Sequence, residues 1–248
     1  MIRSIYFLLL FITLIYNTLA GVNEHIIESK ILGYNVRYWV YVPNGNEKKL
    51  SVMYVTDGKG YKDRGGIVGI SESLIKKNLV EPHIIVMVDA NDPDIAGLNR
   101  RNDQFLCNLA YVRFYKEELV PKIDSSYKTL NSSDNRGILG LSFGGLNAMY
   151  FALHASDTFG KIGIQSPAPH PCPDIYADFE NANKLPIDIF LSTGTVNDKA
   201  KATRRLKNIL DNKGYNFEYV EVPEGHNWRN WKPMLDDILI YFYGVDNR

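Results

Sequence analysis

Gly140-Leu141-Ser142-Phe143-Gly144 is the segment of this chain best suited to covalent chemistry. Arg136-Gly137-Ile138-Leu139 leads into it like a strand, and Gly145 to Leu153 follows in helix-forming residues. A G-x-S-x-G at a strand-to-helix junction holds its serine on a sharp turn, with the hydroxyl clear of the sheet. A serine hydroxyl is a weak nucleophile at neutral pH, so it needs a base beside it and a third group to orient that base. On such a scaffold the three follow in the order Ser, acid, His, each in a loop after a strand. Asp198 and His226 meet that description. Asp198 follows the predicted strand Ile187 to Ser192 and precedes a helix, where it also suits an N-cap. His226 lies after the last predicted strand, in Pro223-Glu224-Gly225-His226-Asn227-Trp228.

The other candidates fit less well. Asp188 begins a strand at the wrong end of the sheet, and Glu224 is too near His226 in sequence to reach its ring. His25, His83 and His154 fall on an edge strand, a strand start and a helix end, where structural or solvated roles are expected. His170, in the proline-rich segment, is the rival base, or else lines the pocket. Acyl transfer also needs two donors for the tetrahedral oxyanion. The backbone N–H of Phe143 is one. The second is expected in the Asp57-Gly58-Lys59 turn, from Lys59 or Gly58; an ordinary glycine turn is the other reading.

The elements around these residues alternate. Two strands, His25 to Leu32 and Asn35 to Val42, are joined at Gly33, and Val36, Tyr38, Val40 and Val42 share one face. Leu50 to Thr56 and Ile84 to Val88 are short β-branched runs that suit buried strands. Ile67 to Lys77 reads as a helix, Asp89 to Asn99 as a loop. Phe105 to Ile123 reads as one long helix, with Leu106, Leu109, Phe114 and Leu119 inward and Pro121 near its end. Gly160 to Gln165 is a strand. Ser166 to Lys184, with four prolines, is a long irregular stretch of the kind that forms lids or binding segments. A helix at Lys199 to Asn212, a strand at Phe217 to Val222 and a helix at Trp231 to Tyr243 complete the chain. The pattern predicts an α/β three-layer sandwich with a mostly parallel sheet and an antiparallel N-terminal hairpin.

The bulk numbers agree. With 248 residues, 45% of them hydrophobic, the chain suits one domain, residues 21–248, after a leader. The 28 basic and 28 acidic residues cancel, which argues against a nucleic-acid partner. Arg3, the apolar run Ile5 to Tyr16 and the small residues around Thr18-Leu19-Ala20 predict a signal peptide over residues 1–20. The run is shorter than the roughly 20 residues a membrane span requires, so a secreted or periplasmic protein is expected; membrane association follows only if the segment is kept. Cys107 and Cys172 are the only cysteines. In an exported protein they suit a disulfide, or else two buried thiols, and they lack the spacing of a metal site.

Taken together, Asp57-Gly58, Glu117 to Ile123 ending at Tyr127, Gly140 to Gly145, and Gly225-His226-Asn227-Trp228 with Trp231 resemble the putative esterase family of α/β-hydrolases. That family includes enterochelin (siderophore) esterases, feruloyl esterases, the esterase D type and mycolyltransferases. The resemblance implies Ser142 as nucleophile, His226 as base, Asp198 as acid, and Phe143 and Lys59 as oxyanion donors. Asn99 to Phe105 is similar to the enterochelin-esterase branch, where an arginine contacts the polar acyl part. Here either Arg100 pairs with Asp103, or Arg101 takes that place with Gln104 in place of the acid. Trp228 suits an aromatic acyl group. The expected protein is an exported serine esterase acting through an acyl-enzyme, with no cofactor or metal. Its expected substrate is a small-molecule or polysaccharide-linked ester; the alternatives are an acyltransferase or a non-catalytic binding module.

Overall fold

In the computed structural model the described residues are 21–45 and 47–245; the expected signal peptide, residues 1–20, lies outside them. The sheet is centred on β3 (Ser51–Val55), β4 (His83–Val88) and β5 (Arg136–Leu141), whose residues are almost all buried. Their side chains divide by period-2 alternation. Val52, Tyr54, Ile84, Val86 and Ile138 face one core layer, while Met53, Val55, Ile85, Met87 and Leu139 face the other. A strand buried on both faces needs helices on both, which is why these runs are continuously apolar.

Eight strands form one sheet in the order β1-β2-β4-β3-β5-β6-β7-β8. β1 (Gly21–Ser29) and β2 (Tyr34–Val42) make the expected hairpin, and β2 also pairs antiparallel with β4. From β4 onward the pairings are parallel, through β6 (Lys161–Gln165) and β7 (Asp188–Gly194) to β8 (Phe217–Val222). The first core layer takes the helices Leu109–Phe114, Phe143–His154 and Ala200–Asn212; the second takes Ile67–Lys76 and Met234–Tyr243.

Three elements depart from the sequence reading. The long helix expected over Phe105 to Ile123 is broken: Arg101–Phe105 ends before Cys107, which has φ 52°, and Asn108 starts the next helix. The Asn108 side chain accepts from the Ala110 and Tyr111 amides, so this local cap competes with helix continuation. Leu109, expected inward, is consequently 50% exposed at the new helix start. The helix then passes through a π-helical stretch, Tyr115–Leu119, into Val120–Ser126, whose first turn accommodates Pro121. Within the stretch expected to be irregular, Ile175–Asn181 is helical, beginning just past the last proline and burying Ile175, Tyr176 and Phe179. The terminal helix starts at Met234, because Pro233 separates it from the short turn Trp228–Trp231.

Cys107 and Cys172 form a disulfide, with their Cα atoms 6.4 Å apart. It joins the break after Arg101–Phe105 to the proline-rich segment after β6.

Candidate active site

Every candidate residue of the triad arises at the C-terminal edge of the parallel sheet, where open α/β sheets place their binding crevices. Ser142 follows β5, Asp198 lies beyond β7 and His226 beyond β8. Ser142 has φ 59° and ψ −117°, a backbone strained for a residue with a Cβ, and its N–H donates to the Gln165 carbonyl at 2.9 Å. The turn closes so tightly that a Cβ on Gly140 would lie 2.1 Å from the Gly144 carbonyl oxygen, so only glycine fits. Phe143–His154 starts at once, and the serine hydroxyl stands at the helix mouth.

Ser142 Oγ lies 2.8 Å from His226 Nε2, and His226 Nδ1 lies 2.5 Å from Asp198 Oδ1. The second oxygen of Asp198 accepts from the Gly194 amide (2.6 Å), Ser166 Oγ (2.6 Å), Asn230 Nδ2 (2.8 Å) and Thr193 Oγ1 (3.3 Å). Burial by itself raises this carboxyl's pKa; the hydrogen bonds from His226, Ser166 and Gly194 outweigh it and bring the pKa down to about 2. Asp198 is therefore ionised throughout the neutral range, fully buried, facing a His226 side chain that is 29% exposed. A carboxylate there fixes the imidazole so that Nδ1 carries the proton and Nε2 is left to accept the serine's.

A further layer holds this acid. Ser166, at φ 44°, donates to Asp198 and accepts from Trp231 Nε1 at 3.0 Å and Asn230 Nδ2 at 3.1 Å. Trp231 also meets the His226 ring edge-on at 4.9 Å. Trp231 stands out in the sequence through the family pattern and as an aromatic suited to an acyl group, whereas Ser166 and Asn230 are not singled out there. The one local signal was their position, Ser166 directly after a strand and Asn230 beside the His226 loop.

The remaining histidines lie elsewhere. His83 is buried against Ser71, the Glu81 carbonyl and Tyr243, and burial pushes its pKa down to about 4. His25 meets the Tyr127 hydroxyl, and His154 packs on Tyr150. His170 contacts Phe143, with ring centroids 5.4 Å apart, while the ring within hydrogen-bond reach of Ser142 is that of His226. Asp188 ion-pairs with Lys161, and Glu224 with Arg229.

The amides expected to hold an oxyanion lie in the first turns of Phe143–His154 and of the short Gly58–Gly60 helix. First-turn amides have no intrahelical acceptor, and neither the Phe143 nor the Lys59 N–H has a partner among the described residues. A Cβ on Gly58 would lie 2.4 Å from the Met87 carbonyl carbon, so this turn must also be glycine. Asp57, just before it, is bound by Arg101 through both carboxylate oxygens at 2.8–3.0 Å. Arg101 Nη2 also donates to the Leu141 carbonyl at 3.2 Å, tying the β3 loop to the serine turn.

The two arginines separate. Arg101 lines the cleft over Ser142, with its guanidinium 5.3 Å from the Phe143 ring. Arg100 points away. It pairs with Asp92 at 2.6 Å rather than with Asp103, and stacks on Tyr34 at 4.0 Å, outside that cleft. The strong Asp92 partner and the Tyr34 face, both distant in sequence, take Arg100 out of the expected substrate-binding position. Trp228 does line the cleft, which has a volume of about 720 Å³ and also carries Lys59, Arg64 and Trp231. No group of three or more His, Cys, Asp or Glu side chains suited to a metal occurs among the described residues.

The Putative esterase family model matches residues 29–242. The chain is 28% identical to YjcH of Bacillus subtilis, over 88% of this chain and 95% of that protein. Its fold superposes on the enterobactin esterase FES of Shigella flexneri, crystallised in the presence of enterobactin. The TM-score is 0.80 and the identity 22%, over 90% of this chain but 58% of that one. A ferulic acid esterase of Anaeromyces mucronatus gives a TM-score of 0.76 at 19% identity, over 89% of this chain and 90% of that one. The chain belongs to the Putative esterase family, with the α/β-hydrolase fold of these esterases.

Proposed function

We propose that this protein is a serine carboxylic-ester hydrolase working through an acyl-enzyme on Ser142. The observation that carries the reading is the unbroken hydrogen-bonded chain Ser142–His226–Asp198, ending in a carboxylate that five donors keep charged. His226 Nε2 takes the hydroxyl proton as Ser142 Oγ attacks the ester carbonyl. Negative charge develops on the carbonyl oxygen, for which the free amides of Phe143 and Lys59 are the donors in this reading. Asp198 stabilises the imidazolium, which then protonates the departing alcohol. Water, activated by the same histidine, attacks the acyl-enzyme and releases the acid.

The cleft supports a polar aromatic acyl group: Trp228 and Trp231 offer faces and edges, and Lys59, Arg64 and Arg101 offer cationic donors. Siderophore and feruloyl-type esters have that character. In this reading residues 1–20 direct export, so the enzyme meets its ester outside the cytoplasm.

The test is turnover of a panel of catecholate and feruloyl esters by wild type and Ser142→Ala, with the products identified by mass. Free acid and alcohol, absent with the variant, are expected. An acylated alcohol in place of free acid would make the protein a transferase, and equal turnover by the variant would contradict the reading.

A further inference from the structure

A second cavity, about 510 Å³ in volume, opens beside the proline-rich segment and the start of helix Ala200–Asn212. Pro169, Pro173, Tyr176 and Ala202 give it apolar walls. Lys199, Lys201 and Arg205 converge on it, and none of the three is ion-paired among the described residues. The other cations of the same helix behave differently: Arg204 pairs with Glu221 at 2.6 Å and Lys207 with Asp211 at 2.6 Å. The lining's one acid, Asp198, has its carboxylate fully committed to His226 and the groups around it. Two lysines beside the positive end of a helix dipole repel it and each other, and no acid in the first turn relieves them. The three cations outnumber the one ionised carboxylate of the lining, Asp198, so the cavity carries a net positive charge.

The cavity is also built. The Arg205 guanidinium lies 4.1 Å over the Tyr176 ring, and the Tyr176 hydroxyl donates to the Ala202 carbonyl at 2.8 Å, so the planar fork has a fixed support. The Cys172–Cys107 disulfide pins the proline wall. His170, on that wall, packs against Phe143, the residue following Ser142, and so links the cavity to the serine turn.

We propose that this cavity is a subsite for a carboxylate-bearing part of the ester substrate. Arg205 would take the carboxylate on its fork with Lys201 beside it, while the prolines and Tyr176 cover the apolar body. A bare inorganic anion would leave those apolar walls wet, which is why an organic carboxylate is the occupant. The inference rests on the esterase reading above.

Benzoate is the probe, titrated calorimetrically into the full chain carrying Ser142→Ala, so that binding is read without turnover. Saturable binding is expected, weakened at least about tenfold by Arg205→Gln and also by Lys201→Gln, the size of a lost charge-assisted hydrogen bond. Thermal melts of both variants check that they are folded. In the active enzyme benzoate should raise KM for an aryl ester that carries a free carboxylate, leave kcat unchanged, and leave KM for a neutral aryl ester unmoved. Absence of binding, binding undiminished in both variants relative to the Ser142→Ala parent, or inhibition through kcat alone would overturn the subsite. Benzoate binding by a protein that turns over no ester would instead sink the esterase reading, leaving an anion site without that reaction.

Discussion

Asp198 and Asp57 are two carboxylates on loops at the same edge of the sheet, both beside the cleft, and their environments push them in opposite directions. Asp198 receives five donors from five residues, and its pKa falls to about 2. Among the described residues Asp57 receives its side-chain donors from Arg101 alone, and burial raises its pKa in spite of that partner. Burial and donors oppose each other at both sites: at Asp57 the cost of burial exceeds what one partner returns, and at Asp198 the donors exceed it. Asp198 spreads its charge over five donors, whereas Asp57 rests on one side chain. The first arrangement suits a group that must stabilise a transient imidazolium, the second a clamp that fixes the geometry of two loops.

The largest expected effect is on the nucleophile. Ser142→Ala should lower kcat by about 10⁴ to 10⁶, with little change in melting temperature. Asp198→Asn should cost about 10³ to 10⁴ in kcat, since an amide favours the wrong imidazole tautomer and cannot balance its charge. Near-normal kcat for Asp198→Asn would break the contrast with Asp57 at its root.

The Asp57 side is tested through stability. Arg101→Leu strips a buried carboxylate of its only side-chain partner, and an unfolding free energy lower by about 3 kcal/mol is expected from denaturant titration. Arg101→Leu combined with Asp57→Asn should recover much of that loss; failure to recover would show that the arginine acts independently of Asp57. Arg100→Leu, which leaves the cleft untouched, should alter stability through Asp92 without changing KM for the ester.

Acid titration sharpens the comparison. Asp198 has a folded pKa below its unfolded value, so its contribution, about 2 kcal/mol, is complete above about pH 4 and disappears as pH falls through about 2. Asp57 has the opposite sign: its raised pKa makes its charge a cost at neutral pH, relieved on protonation as pH falls through the folded value. Melting temperature should therefore fall less steeply between pH 4 and 2 in Asp198→Asn than in wild type. Asp57→Asn should differ from wild type in slope at and above about pH 4, where it lacks the gain that wild type makes as Asp57 takes up its proton. The smallest expected change is Ser166→Ala, about a tenfold reduction in kcat, because four donors to Asp198 remain.

The sequence made the fold legible wherever short-range rules govern. Alternation marked β2, continuous apolar runs marked β3 and β4, and the G-x-S-x-G turn announced the strand-to-helix junction at Ser142. Asp198 and His226 were readable as loop residues following strands in the required order. What was not readable depends on partners far along the chain. Ser166 and Asn230 meet Asp198 across 32 residues in each direction, and no local pattern reports that meeting. Neighbouring Arg100 and Arg101 were separable only by Asp92, Tyr34 and Asp57, which draw them to opposite sides. The broken helix at Asn108 was a competition between a side-chain cap and helix continuation, and apolar periodicity does not register caps.

The most direct test of the central claim is the intact mass of the protein after treatment with a fluorophosphonate, with wild type, Ser142→Ala and Asp198→Asn compared. A single adduct on wild type, absent from Ser142→Ala and formed much more slowly on Asp198→Asn, is the predicted result. An unmodified wild-type protein, or an adduct that persists in Ser142→Ala, would contradict the assignment of Ser142 as the activated nucleophile.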